Sequence, residues 1–424
     1  MTTKSAAAPS TLLDGAQDPP SLRRGTLRRL MAWVFPANVS IVLIWGAVPT
    51  ILLPLQIEGV DPANKAANLA IVTTLGAIAS VIAPPIAGAI SDRTRSRFGR
   101  RALWMVAGAI IGGLALIGMG LQTGLAQIAV AWVIVQFALN FPQNMVAAVM
   151  PDRVPRAARG TFSAVMGVAL MVGAVGGQVV GAQVASNIPA GYTILAGIVV
   201  VMLTLFVVFN PDHSSKDLPR EPLAGLDILR TFWINPVRHP DFFWAFLGRF
   251  LLYAGYFAVF GYQLFILQDY IGLGEGATAA LPLAGILSLL TIVLSTAIAG
   301  PLSDRLGRRK IFVFISSVIV ALAMVVPIVM PTYTGWLVYS LVVGFGFGCF
   351  QAVDTAVISE VLPSKDSFAK DLGVVNMAAT LPQVLAPALA GGVIVAFGYV
   401  ALFPAGIALS LLGSVAVWFI KAVR

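Results

Sequence analysis

The densest run of chemically active side chains is Asp92-Arg93-Thr94-Arg95-Ser96-Arg97-Phe98-Gly99-Arg100-Arg101, six charges in ten residues. Its chemistry is ion pairing, because a guanidinium fork grips both oxygens of a carboxylate. A shorter copy follows as Asp304-Arg305-Leu306-Gly307-Arg308-Arg309. The two Asp residues are 304 − 92 = 212 apart, half of the 424-residue chain. Each run lies between long apolar segments. Charge that dense cannot lie in hydrocarbon, so both runs are water-facing turns between membrane helices. Asp92 falls at the carboxyl end of its helix, where a carboxylate opposes the helix dipole unless it is paired. Asp152 and Arg153, with Arg156 and Arg159 behind them, add a further charged cluster on the same side.

Two charges are placed differently, inside apolar spans. Asp354 lies about six residues from the inner end of its span, and Arg249 about eight residues into another, roughly 12 Å at 1.5 Å per residue. A carboxyl buried in an apolar span can take up and release a proton. Asp354 is therefore the candidate for proton coupling, and a structural Asp354–Arg249 ion pair is the rival reading. Glu58, at the outer end of the first span, reads as an interfacial charge.

Uncharged polar side chains form stripes. Gln136, Asn140, Gln143 and Asn144 fall at i, i+4, i+7 and i+8, on one helical face. Asn376, Thr380 and Gln383 repeat the pattern at i, i+4 and i+7, and Ser288, Thr291 and Ser295 at i, i+3 and i+7. Tyr253, Tyr256, Phe260 and Gln263 share one face of another span; their rings suit a sugar face or an apolar solute. Such stripes line a cavity for a neutral, hydroxyl-rich solute. Equally, they serve as glue between membrane helices, and the aromatic face as plain packing.

Bond-making chemistry has little to work with. One Cys (Cys349) and two His (His213 and His239) build neither a disulfide nor a metal site. The chain lacks a G-x-x-x-x-G-K-[ST] phosphate loop, and no cofactor is implied. Enzyme is the least favoured class.

The elements that position these groups follow from composition. The chain is 58% hydrophobic and 11% charged, against roughly 25% charged in a soluble domain. Many apolar runs reach the roughly 20 residues that a bilayer needs. Twelve spans are expected, near 33–57, 68–91, 102–121, 126–150, 160–185, 191–209, 241–269, 277–302, 310–330, 333–360, 371–397 and 399–420. The fold class is all-α, two pseudo-symmetric six-helix bundles at 33–209 and 241–424. A disordered cytoplasmic tail (1–32) precedes them, and a cytoplasmic loop (210–240) joins them. Leu223–Trp233 within that loop reads as an amphipathic surface helix. Of the 27 Lys and Arg residues, all but Lys65 and Arg249 fall on one side of this layout. That asymmetry places both termini in the cytoplasm and explains the +9 net charge without nucleic acid. Parallel halves put a substrate site between them near mid-membrane.

With its two basic turns, this arrangement resembles the major facilitator superfamily, from about residue 30 onward. The run Asp92 to Arg101 is similar to the loop motif of glycoside–pentoside–hexuronide cation symporters. Leu372-Gly373-Val374-Val375-Asn376 and Leu381-Pro382-Gln383 resemble the sucrose-carrier type. The resemblance implies that Asp92 with Arg93, Arg97, Arg100 and Arg101 latches the inner gate in the outward-open state; Asp152 and Arg153 read either as charges that exchange partners with these turns as the halves rock or as a solvated loop. Asp304, Arg305, Arg308 and Arg309 do the same for the second half. Setting topology alone is the plainer role for these charges. Two departures stand out. Residues 68–91 contain no Asp or Glu, where melibiose-type carriers have them, and residues 160–185 have no Pro, unlike drug antiporters.

The expected function is secondary-active transport of a small organic solute by alternating access, as a sugar or glycoside symporter with protons. Drug or metabolite efflux is the alternative, and a transport-inactive receptor or scaffold is the reading from another class. The expected setting is the bacterial inner membrane, as a multi-pass monomer whose partners are solute, lipid and protons.

Overall fold

The computed structural model describes residues 24–212, 214–216, 239–361 and 368–420. Most of the expected tail and the expected surface helix Leu223–Trp233 lie outside the described residues. Among the described residues, twelve helices are long and apolar enough to cross a membrane. In the first half these are α1 (Gly25–Val60), α2 (Lys65–Arg93), α3 (Ala102–Gly120), α4 (Leu125–Arg153), α5 (Arg159–Gln183) and α6 (Ile188–Phe209). In the second they are α7 (Pro240–Phe260), α8 (Ala277–Leu306), α9 (Arg309–Val329), α10 (Tyr333–Val361), α11 (Phe368–Phe397) and α12 (Tyr399–Trp418).

Two expected boundaries are corrected. Helix α1 begins well before residue 33, so residues 25–32 belong to it and not to the tail. It runs through a π-turn at Val48–Leu52, which contains Pro49, a residue with no N–H to give to the helical ladder. The seventh span is not one helix to residue 269. It stops at Phe260, turns at Gly261–Tyr262, and resumes as Gln263–Phe265 and a second π-turn, Ile266–Tyr270.

The two halves repeat each other in packing. Helix α1 packs on α5 and α6, α2 on α4, and α3 on α4 and α6. Adding six to each number gives the second half: α7 on α11 and α12, α8 on α10, α9 on α10 and α12. The halves meet through α2 against α11 and α5 against α8, a symmetric exchange of the same two positions. Lipid tails are as apolar as leucine, so close backbone approach drives membrane helix packing. Gly177 shows this: a Cβ there would run into the Leu43 carbonyl and stand 2.8 Å from the Gly46 Cα, so α1 and α5 touch backbone to backbone. Exposed Ile71, Leu114, Val130, Leu290 and Leu389 face outward, where hydrocarbon would cover them.

Candidate functional site

The charged turns lie on one face of the bundle, here termed the basic face. Arg101 holds two carboxylates: its Nη2 lies 2.9 Å from Asp92 Oδ1, and its Nε 3.0 Å from Asp152 Oδ2. Its Nη1 also donates to Ser91 Oγ at 2.5 Å. Arg100 reaches Asp152 at 2.7 Å and Asp92 at 3.7 Å. Two arginines of the α2–α3 turn thus tie the carboxyl ends of α2 and α4, where each carboxylate would otherwise oppose its helix dipole. Arg153 donates to the carbonyls of Asn210 and Pro211, and Arg97 lies over the Phe98 ring at 4.6 Å. Arg93 is also engaged by a neighbour. In the second half Arg309 pairs with Asp304 at 2.8 Å, but Asp304 is 63% exposed, so the pair contributes only about 0–1 kcal/mol. Arg305 and Arg308 are exposed on the same face. These pairs join helices within a half.

An ion-pair cluster that bridges the halves lies at the opposite face. Lys65, at the start of α2, pairs with Glu58 of α1 at 2.7 Å and with Asp269 of the second half at 2.9 Å. Its ammonium sits 4.7 Å from the centre of the Phe265 ring. Gln268 donates to the other Glu58 oxygen at 3.1 Å. The Tyr262 hydroxyl lies 3.2 Å from the Ala66 carbonyl and 2.9 Å from that of Pro387, so α2 and α11 share its proton. Beside them, the side-chain amides of Asn64 and Asn68 hold the Asp61 carboxyl below its ordinary range. Sequence reasoning missed this closure: Glu58 read as merely interfacial and Asp269 was not singled out. The available signal was Lys65 itself, a lone cation on a face otherwise carrying acids.

Below that closure lies a cavity of about 270 Å³ between α5 of the first half and α7, α8 and α10 of the second. Tyr256 and Gln263, both expected from the sequence, line it. So do Gln178, Trp336, Ser288 and Phe347. Three of its buried polar atoms have no protein partner: Gln178 Oε1, Gln263 Nε2 and Trp336 Nε1. Buried polar atoms are nearly always hydrogen-bonded, so three on residues that line one cavity stand out as unmet hydrogen-bonding capacity. Tyr256 and Phe347 stack there with centroids 4.2 Å apart. Gln178 occupies the space that a Cβ on Gly285 would need, so α8 has room for the amide of α5 because that position is glycine.

Other expected lining residues sit elsewhere. Asn140 and Asn144 donate to the carbonyls of Gln136 and Asn140 one turn earlier in α4, both at 2.7 Å. Gln143 accepts from Trp45 Nε1 at 2.8 Å and ties α4 to α1. Of the α4 stripe, Gln143 thus ties two helices and Asn140 and Asn144 bond their own helix; none of the four is among the residues lining this cavity. On α11, Thr380 and Gln383 are exposed and do not line the cavity, and the side chain of Asn376 lies outside the described residues. Tyr253 is buried behind the cavity against Phe347 and Phe350. The α8 stripe divides: Ser288 lines the cavity, Thr291 donates to the Leu287 and Ser288 carbonyls of its own helix, and Ser295 fills the space beside Gly348.

Asp354 and Arg249 form a buried ion pair at 3.1 Å, with side-chain exposures of 7% and 11%. The Arg249 guanidinium lies 5.5 Å from the Tyr253 ring centre, and its Nε has no partner. Gln351 of the cavity is three residues, about one turn, before Asp354 on α10. The pair thus adjoins the cavity wall through Tyr253 and Phe347.

Twelve candidate membrane-spanning helices in two repeated halves, with a cavity where α5 meets α7, α8 and α10, are the arrangement of a membrane carrier. The chain matches the family model described as Major Facilitator Superfamily over residues 34–365 and again over 279–424, and it belongs to that superfamily. Uncharacterized MFS-type transporters from two strains of Mycobacterium tuberculosis are each 26% identical over 359 residues, 80% of this chain and 80% of theirs. Among solved structures, a variant of the nucleoside transporter NupG superposes with a TM-score of 0.72 at 17% identity, covering 92% of this chain and 99% of that one. A bacterial homolog of the human lysosomal transporter Spinster, solved inward-facing and unoccupied, gives 0.65 at 14% identity, covering 93% and 94%. At these identities the structures share the fold.

Proposed function

We propose that this transporter carries a small uncharged organic solute, a sugar or glycoside, in proton-linked uptake across a bacterial inner membrane. The observation that carries the reading is a cavity between the halves lined by uncharged polar side chains, among them Gln178, Gln263, Ser288 and Trp336, with no charged residue among the described ones, which suits a neutral polar solute. The charge asymmetry supports a cytoplasmic basic face with both termini there. On that orientation the Lys65 cluster lies at the outer face. Opening requires the halves to rock about the cavity. The basic-face charges Asp92, Arg100, Arg101 and Asp152 then keep α2 and α4 moving as one piece. Asp354 is the proton carrier in this reading, and Arg249 is the group that holds its charged form. The likeness of the Asp92–Arg101 turn to glycoside–pentoside–hexuronide symporters supports the sugar class. A monomer is sufficient, because both halves lie in one chain.

The test is flux in liposomes holding the purified protein under an imposed proton gradient. Radiolabelled monosaccharides, disaccharides, pentosides and nucleosides are screened beside a cationic dye. Gradient-driven sugar accumulation that Asp354→Asn abolishes is the expected result. Dye extrusion without sugar flux would move the protein to efflux, and absence of any flux would favour a receptor or scaffold.

A further inference from the structure

The cavity has two unlike ends. Its unpartnered polar atoms cluster toward the Lys65 face: Gln178 is 183 − 178 = 5 residues from the end of α5, and Trp336 is 336 − 333 = 3 residues into α10. The deeper end, toward mid-membrane, is formed by Leu170, Met171, Ile292 and the stacked Tyr256–Phe347 pair. Gln351 at that edge is already hydrogen-bonded to Tyr253. Among the described residues lining the cavity, none is charged.

Resting on the carrier reading above, we propose that the site takes an uncharged amphiphilic solute with a hydroxyl- or amide-bearing head and a flat aromatic body. The head sits at Gln178, Gln263 and Trp336, and the body lies against Tyr256 and Phe347. A bare sugar long enough to fill the space would press hydroxyls against the aromatic end, where a hydroxyl without a partner is costly. An aromatic ring there gains buried area and ring contact instead. An ionised solute would find no counter-charge. The head contact also spans the halves, because Gln178 belongs to the first and Gln263 and Trp336 to the second. Bound solute therefore links the two bundles at the level of the closure.

The experiment is binding to the full chain in detergent, read by tryptophan quenching and by thermal shift. The probes are the 4-nitrophenyl β-glycosides of glucose, galactose and xylose, the three parent sugars, and 4-nitrophenol alone. At least one aryl glycoside should bind about tenfold or more tighter than its parent sugar. Phe347→Ala, or Phe347→Leu if the first variant does not fold, should remove that preference and leave the parent sugar unaffected. Gln178→Leu should weaken the aryl glycoside about tenfold, the loss of one buried hydrogen bond, while 4-nitrophenol binding is unmoved. Equal affinity for sugar and aryl glycoside overturns the proposal, as does no saturable binding across the panel or a preference that survives at Phe347. Gradient-driven flux of bare sugars without aryl preference would overturn this inference and leave the carrier reading standing. Aryl-selective binding without flux would do the reverse.

Discussion

Replacing Arg249 by Met should destabilise the protein by about 3–5 kcal/mol, the usual cost of removing one partner from a buried ion pair. Asp354 is 5% exposed, and Arg249 is its paired cation at 3.1 Å. With Arg249 gone, the carboxylate is left charged without a partner, or it takes up a proton to become neutral. The unpaired Arg249 Nε shows that the guanidinium is itself not fully satisfied, so the pair is not an optimised structural rivet. The double variant Arg249→Met/Asp354→Asn removes both charges and should recover most of the lost stability. It should still lack gradient-driven transport. The measurement is the midpoint of heat-induced loss of monodisperse protein in detergent, beside proton-driven uptake in liposomes. If the double variant also regained proton-driven uptake, Asp354 would be a structural partner and nothing more. If Arg249→Met were as stable as the parent, the pair would carry no weight in either role.

Arg101→Ala should lower the transport rate by about 100-fold, a barrier change of roughly 2.7 kcal/mol, while the protein still inserts. Arg101 is 13% exposed and touches Asp92, Asp152 and Ser91, so one deletion frees the ends of two helices. Its contact with Asp152, 20% exposed, contributes about 1.5–3 kcal/mol, that with Asp92, 42% exposed, about 0–1 kcal/mol, and Arg100 keeps part of the clamp through its 2.7 Å contact with Asp152. Arg101→Lys should recover little, because a single ammonium cannot present a planar fork to two carboxylates from different helices. The check is initial uptake rate normalised to reconstituted protein for Arg101→Ala, Arg101→Lys and Asp152→Asn. Parental rates in all three would leave these charges with topology setting as their only role.

The spans were legible because twenty-residue apolar runs have one reading in a membrane, and the 212-residue offset exposed the two halves. The Asp354–Arg249 pair was legible for a similar reason: charges inside spans are rare enough that two opposite ones find each other. The α4 stripe misled, because helical periodicity puts Gln136, Asn140, Gln143 and Asn144 on one face without saying what that face meets. In the fold it meets its own backbone carbonyls and Trp45. Gln178 and Trp336 were overlooked as single polar atoms in apolar helices. They became informative only when packing placed them, with Gln263, around one cavity. The Lys65–Asp269 pair joins residues 204 apart and depends on how the halves lean together, which no local pattern encodes.

The central claim is that the two halves rock about this cavity and that the Lys65 cluster holds one end closed. Spin labels at Ala63→Cys and Glu275→Cys, in a Cys349→Ser background that removes the only native thiol, place one probe on each half at the Lys65 face; both sites are exposed. Double electron–electron resonance on the reconstituted protein should give a short distance and a longer one. Lys65→Met should shift the balance toward the longer distance by roughly 1–2 kcal/mol, between the values for exposed and buried pairs. A single distance, unmoved by solute, by a proton gradient and by Lys65→Met, would contradict the account.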